Sequence, residues 1–515
     1  MMHWIILPVV LPAMLAPLIG FVMRHDIVLA RTASVAGTVL LLAVALGLTG
    51  IAADGTTHVY RLGEWPAPFG IVLVLDRLSA LMVLLTAALA LVVLVHAIAT
   101  GWDAKGRHFH ALFQFQLMGV SGAFLTGDVF NLFVFFEVLL IASYGLMIHS
   151  GGRDRLRAGL QYVVMNLAGS TLFLFALGTL YASTGTLNIA DLSERVAAIP
   201  PDEAALVRVA AILLLIVFAL KAALFPIQFW LPATYANAPA PVAALFAIMT
   251  KVGAYSILRV HTIAFGPGVP GTEDLAGTWL FPAAIVTIAL GAFGVLGARR
   301  LMPLVAFSVV GSMGTVLVAV AAFSPTATAA ALYYMVHSTF AAACLFLVAD
   351  LVVTRRTADD LTLSAPTVQN GLFAALFFAA AIAVAGMPPL SGFLGKLLVL
   401  DALRAPGTIG WVWTAVLAGS FLTIVGFARA GSVLFWKSTA PVAPTPVTTA
   451  TPVLAEPLGN AATPMQLAPS MVAVAALAGL ALFAGPVFGY MEHTAEQLFD
   501  RAGYVEAVLG QGKEG

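Results

Sequence analysis

Residues 218–259 read FALKAALFPIQFWLPATYANAPAPVAALFAIMTKVGAYSILR, an apolar stretch that contains Lys221 and Lys251. Pro226 and Pro232 follow the first lysine closely. The helices of a water-soluble protein keep lysines on a polar face opposite an apolar one, but the neighbours of these two lysines are almost all apolar. The stretch therefore predicts helices that hold charge inside a membrane.

The composition of the whole chain agrees with this interpretation. Of its 515 residues, 61% are hydrophobic and only 9% are charged, and the mean hydropathy is +1.01. A soluble domain has about 25% charged residues, so this chain has too few charges to cover the surfaces of soluble domains. We therefore predict an all-α polytopic membrane protein.

A bilayer-crossing helix needs about 20 mainly apolar residues, and we predict about 14 such spans, numbered 1 to 14. They lie near residues 4–23, 28–52, 72–99, 109–126, 129–149, 158–182, 205–224, 241–263, 277–297, 302–323, 327–353, 371–403, 408–436 and 469–490. Residues 54–70 predict an extramembrane hairpin. Residues 437–468, rich in Pro, Thr and Ala, predict a flexible loop.

The loops between the spans predict the orientation in the membrane. The odd-numbered loops hold twelve Lys and Arg residues, whereas the even-numbered loops and both tails hold seven. Because Lys and Arg accumulate in cytoplasmic loops, we expect the odd loops in the cytoplasm. Both termini are then extracytoplasmic, in a multi-pass protein of the plasma membrane.

Four charged residues, Glu137, Lys221, Lys251 and Lys396, lie mid-span in this apolar background, and His337 is a fifth titratable group there. A charge at the centre of a membrane helix costs about 2.5–3.5 kcal/mol, and such residues usually mark an ion path or a proton relay. A Glu–Lys pair could instead be structural, and His337 could be a packing residue. One acid cannot pair with three lysines, however, so the set favours a proton relay.

Prolines interrupt two of the spans that carry these lysines. Proline lacks an N–H and clashes with the carbonyl four residues before it. We therefore expect span 7 to break at Pro226 and Pro232, and span 12 at Pro388 and Pro389. Broken membrane helices in equivalent positions indicate inverted repeats around a transport site.

The two breaks lie five spans apart, which predicts two inverted five-helix repeats, spans 4–8 and 9–13. The predicted divisions of the chain are residues 1–107 (spans 1–3), 108–263 (first repeat), 264–436 (second repeat), 437–468 (flexible loop) and 469–515 (last span and C-terminal tail).

No sequence motif indicates a cofactor or a metal site. Residues 266–271, GPGVPG, match G-x-G-x-x-G by letter, but two prolines occupy the motif and no strand precedes it, so we expect a loop. The single cysteine, Cys344, excludes an internal disulfide and an all-cysteine metal cluster. A net charge of zero without a run of Lys and Arg indicates no nucleic-acid partner. We expect that this chain itself performs neither ATP hydrolysis nor redox chemistry.

The same segments resemble the antiporter-like subunits shared by respiratory complex I and the Mrp-type multisubunit sodium/proton antiporters. The resemblance covers nearly the whole chain and is most specific in residues 218–259. It implies that Glu137 and Lys221 form a coupled pair. It also implies roles in proton transfer for Lys251, His337 and Lys396, and a set of other hydrophobic subunits as partners.

The chain departs from relatives at two positions. Complex I relatives tend to carry Asp after WLP, where this chain has Ala233, so the Mrp-type branch is closer. Many relatives also carry a lysine five residues after the span 11 histidine, where this chain has Ala342. The middle of the relay is then left to His337 and water.

We therefore expect the proton-translocating subunit of a monovalent cation (Na⁺)/proton secondary antiporter, embedded in lipid, and not an enzyme. One alternative is the equivalent proton-pumping subunit of a complex I-type NADH-quinone oxidoreductase, which flavin or iron–sulfur absorbance of the purified complex would reveal. A second alternative is a structural scaffold, in which all the lysines would tolerate alanine. The sequence leaves open whether Na⁺ also passes through this subunit.

Overall fold

The computed structural model describes residues 2–437 and 457–510, which are mostly helical. The N-terminal helices are α1 (Leu7–Pro17), α2 (Ile27–Ala52) and α3 (Arg77–Ala99). The helices of the first predicted repeat are α4 (Phe109–Leu125), α5 (Val129–Met147), α6 (Arg153–Thr184), α7 (Ile189–Ala198), α8 (Ala205–Lys221), α9 (Trp230–Asn237), α10 (Ala240–Leu245) and α11 (Met249–Ser256).

The remaining helices belong to the second predicted repeat and to the C-terminal part of the chain. The helices of the second repeat are α12 (Leu275–Gly297), α13 (Leu301–Val320), α14 (Pro325–Arg356), α15 (Asn370–Ala385), α16 (Ser391–Ala402) and α17 (Ile409–Gly431). The C-terminal helices are α18 (Pro464–Leu482), α19 (Ala484–Phe499) and α20 (Arg501–Leu509). Short 3₁₀ turns cover Met2–Trp4, Leu62–Glu64 and Trp102–Ala104, and π-helical turns cover Leu18–Val22, Ile257–His261 and Ser432–Trp436.

Ten helical segments in the described ranges are long and apolar enough to cross a membrane. The predicted class, an all-α polytopic membrane protein, is therefore confirmed. The total of 14 crossings stays a prediction, because several helices in the predicted spans are shorter or interrupted. Helix α7 lies between spans 6 and 7, where no element was predicted.

The predicted hairpin forms, but it extends into the residues assigned to span 3. Strand β1 (His58–Arg61) pairs antiparallel with β2 (Val72–Leu75). The prediction that residues 72–75 begin a membrane helix was therefore wrong. The side chain of Asp76 accepts a hydrogen bond from the Ser79 N–H and fixes the start of α3 at Arg77, since a capping residue has non-helical backbone angles.

Both predicted helix breaks are present. In span 7, α8 ends at Lys221 and α9 begins at Trp230 with Pro226 between them, and in span 12 α15 ends at Ala385 and α16 begins at Ser391. Pro232, however, does not interrupt a helix. It lies in the first turn of α9, where a missing N–H removes no intrahelical hydrogen bond.

Several helix–helix contacts recur in the two predicted repeats. The first two spans of each repeat contact each other, as α4 with α5 and α12 with α13. The third span of each repeat contacts the broken span, as α6 with α8 and α14 with both α15 and α16. The last span of each repeat also contacts the broken span, as α11 with α8 and α17 with α15. These matching contacts support the two-repeat architecture.

Span 8 is less regular than the sequence predicted. It consists of α10, a turn at residues 246–248, α11 and the π-helical turn Ile257–His261. The segment Ala240–His261 is nevertheless long and apolar enough to cross a membrane, in agreement with the span predicted near 241–263. The Tyr235 hydroxyl donates to the Phe246 carbonyl at 2.6 Å, so the irregular turn is stabilised by a side chain from outside the span.

The last predicted span is also interrupted. Helix α18 begins at Pro464, before the predicted start at 469, and ends at Leu482, so α19 begins inside the predicted span 469–490. The prediction of a flexible loop over 437–468 falls mostly on residues 438–456, which lie outside the described residues. Residues 266–271 form a loop as predicted.

A buried ion pair joins the start of α3 to the π-helical turn of span 8. The Arg259 guanidinium donates to both carboxylate oxygens of Asp76, at 2.5 and 2.8 Å. Both side chains are buried, and removal of one member of a buried pair leaves the other charge without a partner. This pair therefore fixes span 8 against the N-terminal helices.

We expect Arg259→Gln to lower the free energy of unfolding by about 3–5 kcal/mol, because it leaves Asp76 as an unpaired buried charge. The matched control is Arg195→Gln, because Arg195 pairs with Asp191 but is 56% exposed, and such exposed pairs contribute about 0–1 kcal/mol. The measurement is the thermal midpoint of the detergent-solubilised protein. Equal midpoints for the two variants would contradict this role of the pair.

Candidate functional site

Lys221 is the last residue of α8, directly before the first helix break, and its side chain is buried. Its Nζ donates to Asn166 Oδ1 on α6 at 2.8 Å. The Asn166 amide nitrogen in turn donates to the Tyr162 carbonyl at 2.8 Å. This second hydrogen bond fixes the amide so that its oxygen faces the lysine.

Glu137 lies on α5 and is partly buried. Its carboxylate accepts a hydrogen bond from the Ser170 hydroxyl, which is one helical turn after Asn166 on α6. No ion pair within 4.0 Å joins Glu137 to Lys221 in the described structure, although the two charges interact electrostatically. The structure therefore brings the two residues together through α6 and not by direct contact.

Asn166 and Ser170 were not among the residues selected from the sequence. They lie four residues apart in the apolar segment VVMNLAGSTLF. Side chains four residues apart lie on the same face of a helix. A search for uncharged polar residues at helical spacing, and not only for charged ones, would have found them.

Lys251 lies in α11 and is completely buried, and its Nζ has no hydrogen-bond partner among the described residues. Gly253 explains how α11 packs so closely against α8. A Cβ atom at Gly253 would lie 2.6 Å from the Ala222 nitrogen and 2.7 Å from the Phe218 carbonyl oxygen. Lys251 therefore lies on a helix whose backbone touches the end of α8, next to Lys221.

His337 lies on α14 and is inserted at the second helix break. Its Nδ1 is 2.9 Å from the Ser391 hydroxyl at the start of α16, and the ring also bonds to the Ala383 carbonyl near the end of α15. His337 thus bridges the two halves of span 12. It also interacts electrostatically with both Lys251 and Lys396.

Lys396 lies on α16, and its ammonium group satisfies the end of α15. Its Nζ donates to the Val384 and Ala385 carbonyls at 3.2 and 2.9 Å and to the Ser420 hydroxyl at 2.8 Å. The C-terminal carbonyls of a helix have no partner within the helix and carry partial negative charge. A cation is therefore favoured at this position.

A small polar cavity of about 20 Å³ adjoins Lys396. Tyr334 lines it and hydrogen-bonds to Ser312 and Thr315, and its ring contacts that of His337. The hydroxyl-bearing side chains around this cavity are Ser308, Ser312, Thr315, Tyr334, Ser420 and Thr423. A cavity of this size holds about one water molecule. Hydroxyl groups and space for about one water molecule are thus present beside Lys396 and next to Tyr334, whose ring contacts His337.

The five sequence-predicted residues thus form two groups with Lys251 between them. Glu137 and Lys221 meet through α6 at the first break, and His337 and Lys396 meet at the second. Among the described residues, no three His, Cys, Asp or Glu side chains are grouped so that they could hold a metal ion. The arrangement provides ionisable groups that can exchange protons through hydroxyl groups and water.

Comparisons with known proteins agree on one family. The family model described as "NADH:quinone oxidoreductase/Mrp antiporter, TM" matches residues 126–424. The D subunit of a probable K(+)/H(+) antiporter of Rhizobium meliloti is 37% identical, with 100% of this chain and 98% of the relative covered. The D subunit of a Na(+)/H(+) antiporter of Bacillus subtilis is 37% identical, with 85% of this chain and 87% of the relative covered.

The fold of a solved structure agrees as well. A chain of the Mrp complex from Dietzia sp. DQ12-45-1b superposes with a TM-score of 0.88 at 29% identity, covering 99% of this chain and 100% of that chain.

We expect Gly253→Ala to destabilise the protein by about 1–3 kcal/mol, because the added methyl group overlaps the backbone of α8 and overpacks the interface. Gly178→Ala is the matched control, since Gly178 lies within α6 and a Cβ there meets nothing within 4 Å. Alanine at that position is expected to be neutral or stabilising by up to about 1 kcal/mol. Thermal midpoints of the solubilised protein test this, and a Gly253→Ala variant as stable as wild type would contradict the close packing.

Proposed function

The chain belongs to the NADH:quinone oxidoreductase/Mrp antiporter transmembrane family, and we propose that it is the D subunit of a multisubunit monovalent cation/proton antiporter. In this proposal it carries protons through Glu137, Lys221, Lys251, His337 and Lys396. The observation that supports this most is that ionisable groups lie buried at both helix breaks of a membrane protein. It acts as a transporter subunit and not as an enzyme.

The first proton-transfer step depends on α6. Asn166 holds the Lys221 ammonium on one side of α6, and Ser170 holds the Glu137 carboxylate one turn away. At an effective dielectric constant of 20, bringing two opposite charges from about 8 to 4 Å stabilises them by about 2 kcal/mol. A tenfold change in proton affinity corresponds to about 1.4 kcal/mol, which is less than this energy. A small movement that changes this separation can therefore load or release the proton on Lys221.

The proton then passes from Lys221 to Lys251 and on to His337 and Lys396. Lys251 has no hydrogen-bond partner of its own among the described residues, so it accepts and releases a proton without breaking a contact. Tyr334, Ser312 and Thr315 provide hydroxyl groups beside Lys396. Because hydroxyl groups both donate and accept, they and a water molecule continue the proposed path from His337 to Lys396.

The transported cation crosses elsewhere in the assembly. Na⁺ and K⁺ need several oxygen ligands, as other hard cations do, and Glu137 is the one acidic residue among the five. Other hydrophobic membrane subunits are the partners in this proposal, in line with the multisubunit complex of the related structure. The excess of Lys and Arg in the odd loops supports a plasma-membrane orientation with both termini extracytoplasmic.

The proposed relay predicts that Lys221→Ala abolishes cation-driven proton exchange, because the proposed path passes through the Lys221 side chain at the end of α8. The complex is reconstituted in vesicles, and proton movement is followed with a pH-sensitive dye after addition of Na⁺ or K⁺. Lys437→Ala, which removes an exposed lysine at the end of the described segment, is expected to exchange normally. Undiminished exchange by Lys221→Ala would refute the relay.

The role of α6 predicts that Asn166→Asp moves the pH profile of exchange to higher pH, because a carboxylate beside Lys221 stabilises its protonated form. Asn166→Leu removes the acceptor and should lower the exchange rate about tenfold, the loss of one hydrogen bond to a charged group. Ser183→Ala, on the same helix but far from the relay, is the control. If Asn166→Asp has the pH profile of wild type, Asn166 does not tune Lys221.

A further inference from the structure

A second pair of buried ionisable side chains lies outside the relay. His96 on α3 and Asp350 on α14 are both buried, and His96 Nε2 is 2.9 Å from Asp350 Oδ2. The indole N–H of Trp102 donates to both oxygens of the same carboxylate, at 2.9 and 3.0 Å. Two hydrogen-bonding groups, one near the end of α3 and one in the 3₁₀ turn that follows it, thus hold the Asp350 carboxylate in place.

The second ring nitrogen of His96, Nδ1, does not take part in the hydrogen bond to Asp350. This nitrogen is buried and has no hydrogen-bond partner among the described residues, although the side chain is completely shielded from solvent. Buried polar groups are almost always paired, and a ring nitrogen of histidine either donates or accepts a hydrogen bond. Nδ1 can therefore donate or accept one further hydrogen bond inside the protein.

Asp350 also lines a polar cavity of about 500 Å³, which we call the odd-loop vestibule. The vestibule lies where the odd-numbered loops meet the ends of α6, α9, α13 and α14, and its other walls include Asn237, Arg300 and Thr357. A cavity of this size holds many water molecules. The Asp350 carboxylate thus lies in the wall of the vestibule, while the imidazole behind it is completely buried.

The charged residues around the pair come from every neighbouring element. They are Arg153, Asp154 and Arg155 of α6, Arg300 before α13, Arg355 of α14, Asp359 after α14, and Lys105, which lies over the Trp102 ring. Arginines predominate among these side chains. Asp350 is therefore a carboxylate with mainly cationic neighbours, directly beside His96.

We infer that His96 and Asp350 form a proton-exchange site between the water of the odd-loop vestibule and the protein interior. The inference rests on the proposed antiport function. Uptake of one proton from vestibule water converts neutral imidazole and carboxylate into an imidazolium–carboxylate pair, and release restores the neutral imidazole. No other bond is made or broken. Histidine suits this role because it changes charge near physiological pH.

The proposal differs from a purely structural role for the pair. A structural pair needs only the hydrogen bond between α3 and α14, which a glutamine at position 96 can still make to Asp350. A proton-exchange site also needs a group that titrates, which glutamine does not provide. His96→Gln therefore separates the two roles.

The test measures cation-driven proton exchange by the reconstituted complex across a range of pH on the odd-loop side. We expect His96→Gln and Asp350→Asn to lower the rate about tenfold and to flatten its dependence on that pH, and Asp350→Glu to restore the profile. Asp359→Asn, which removes a vestibule carboxylate that pairs with Arg300, should exchange as wild type does.

Wild-type rates and profiles for both variants would overturn the inference. So would variants with a lowered thermal midpoint but an unchanged pH profile, because that result shows a structural pair only. A wild-type complex that exchanges no protons would instead refute the proposed antiport function. The two failures are thus distinguishable.

Discussion

The structure depends on how the backbone is satisfied where a membrane helix is broken. A carbonyl group in the hydrocarbon core has no water to bond with, so the protein itself must supply a donor. At the first break the indole of Trp230 donates to the Leu220 carbonyl. At the second break the Lys396 ammonium donates to the Val384 and Ala385 carbonyls. The ends of both broken helices are therefore held by side chains.

The two breaks differ in what holds them, and this difference matters for the chemistry. An indole N–H does not titrate, so the first break keeps its donor whatever the protonation state of Lys221. Lys221 is thereby free to bond to Asn166 on a neighbouring helix. At the second break the ionisable group is itself the donor, and His337 also bridges the gap to Ser391. Protonation and backbone structure are thus directly connected only in the second repeat.

Particular residues show where sequence reasoning succeeded and where it failed. Pro226, Pro388 and Pro389 predicted both breaks, because the loss of an N–H is a local property of proline. Residues 72–75 were assigned to a helix because a short apolar run fits a helix and a buried strand equally well. The turn at residues 246–248 contains neither glycine nor proline. It is stabilised by a hydrogen bond from Tyr235, which lies outside span 8.

The sequence by itself determined the membrane class, the two broken spans and the five ionisable residues of the proposed relay, because hydropathy, proline chemistry and the cost of burying charge are properties of single residues and short segments. Only the tertiary structure decided which groups those residues contact. Asn166 lies 55 residues from Lys221, and His96 lies 254 residues from Asp350. Such partners depend on how distant helices pack, and no local pattern in the chain specifies that packing.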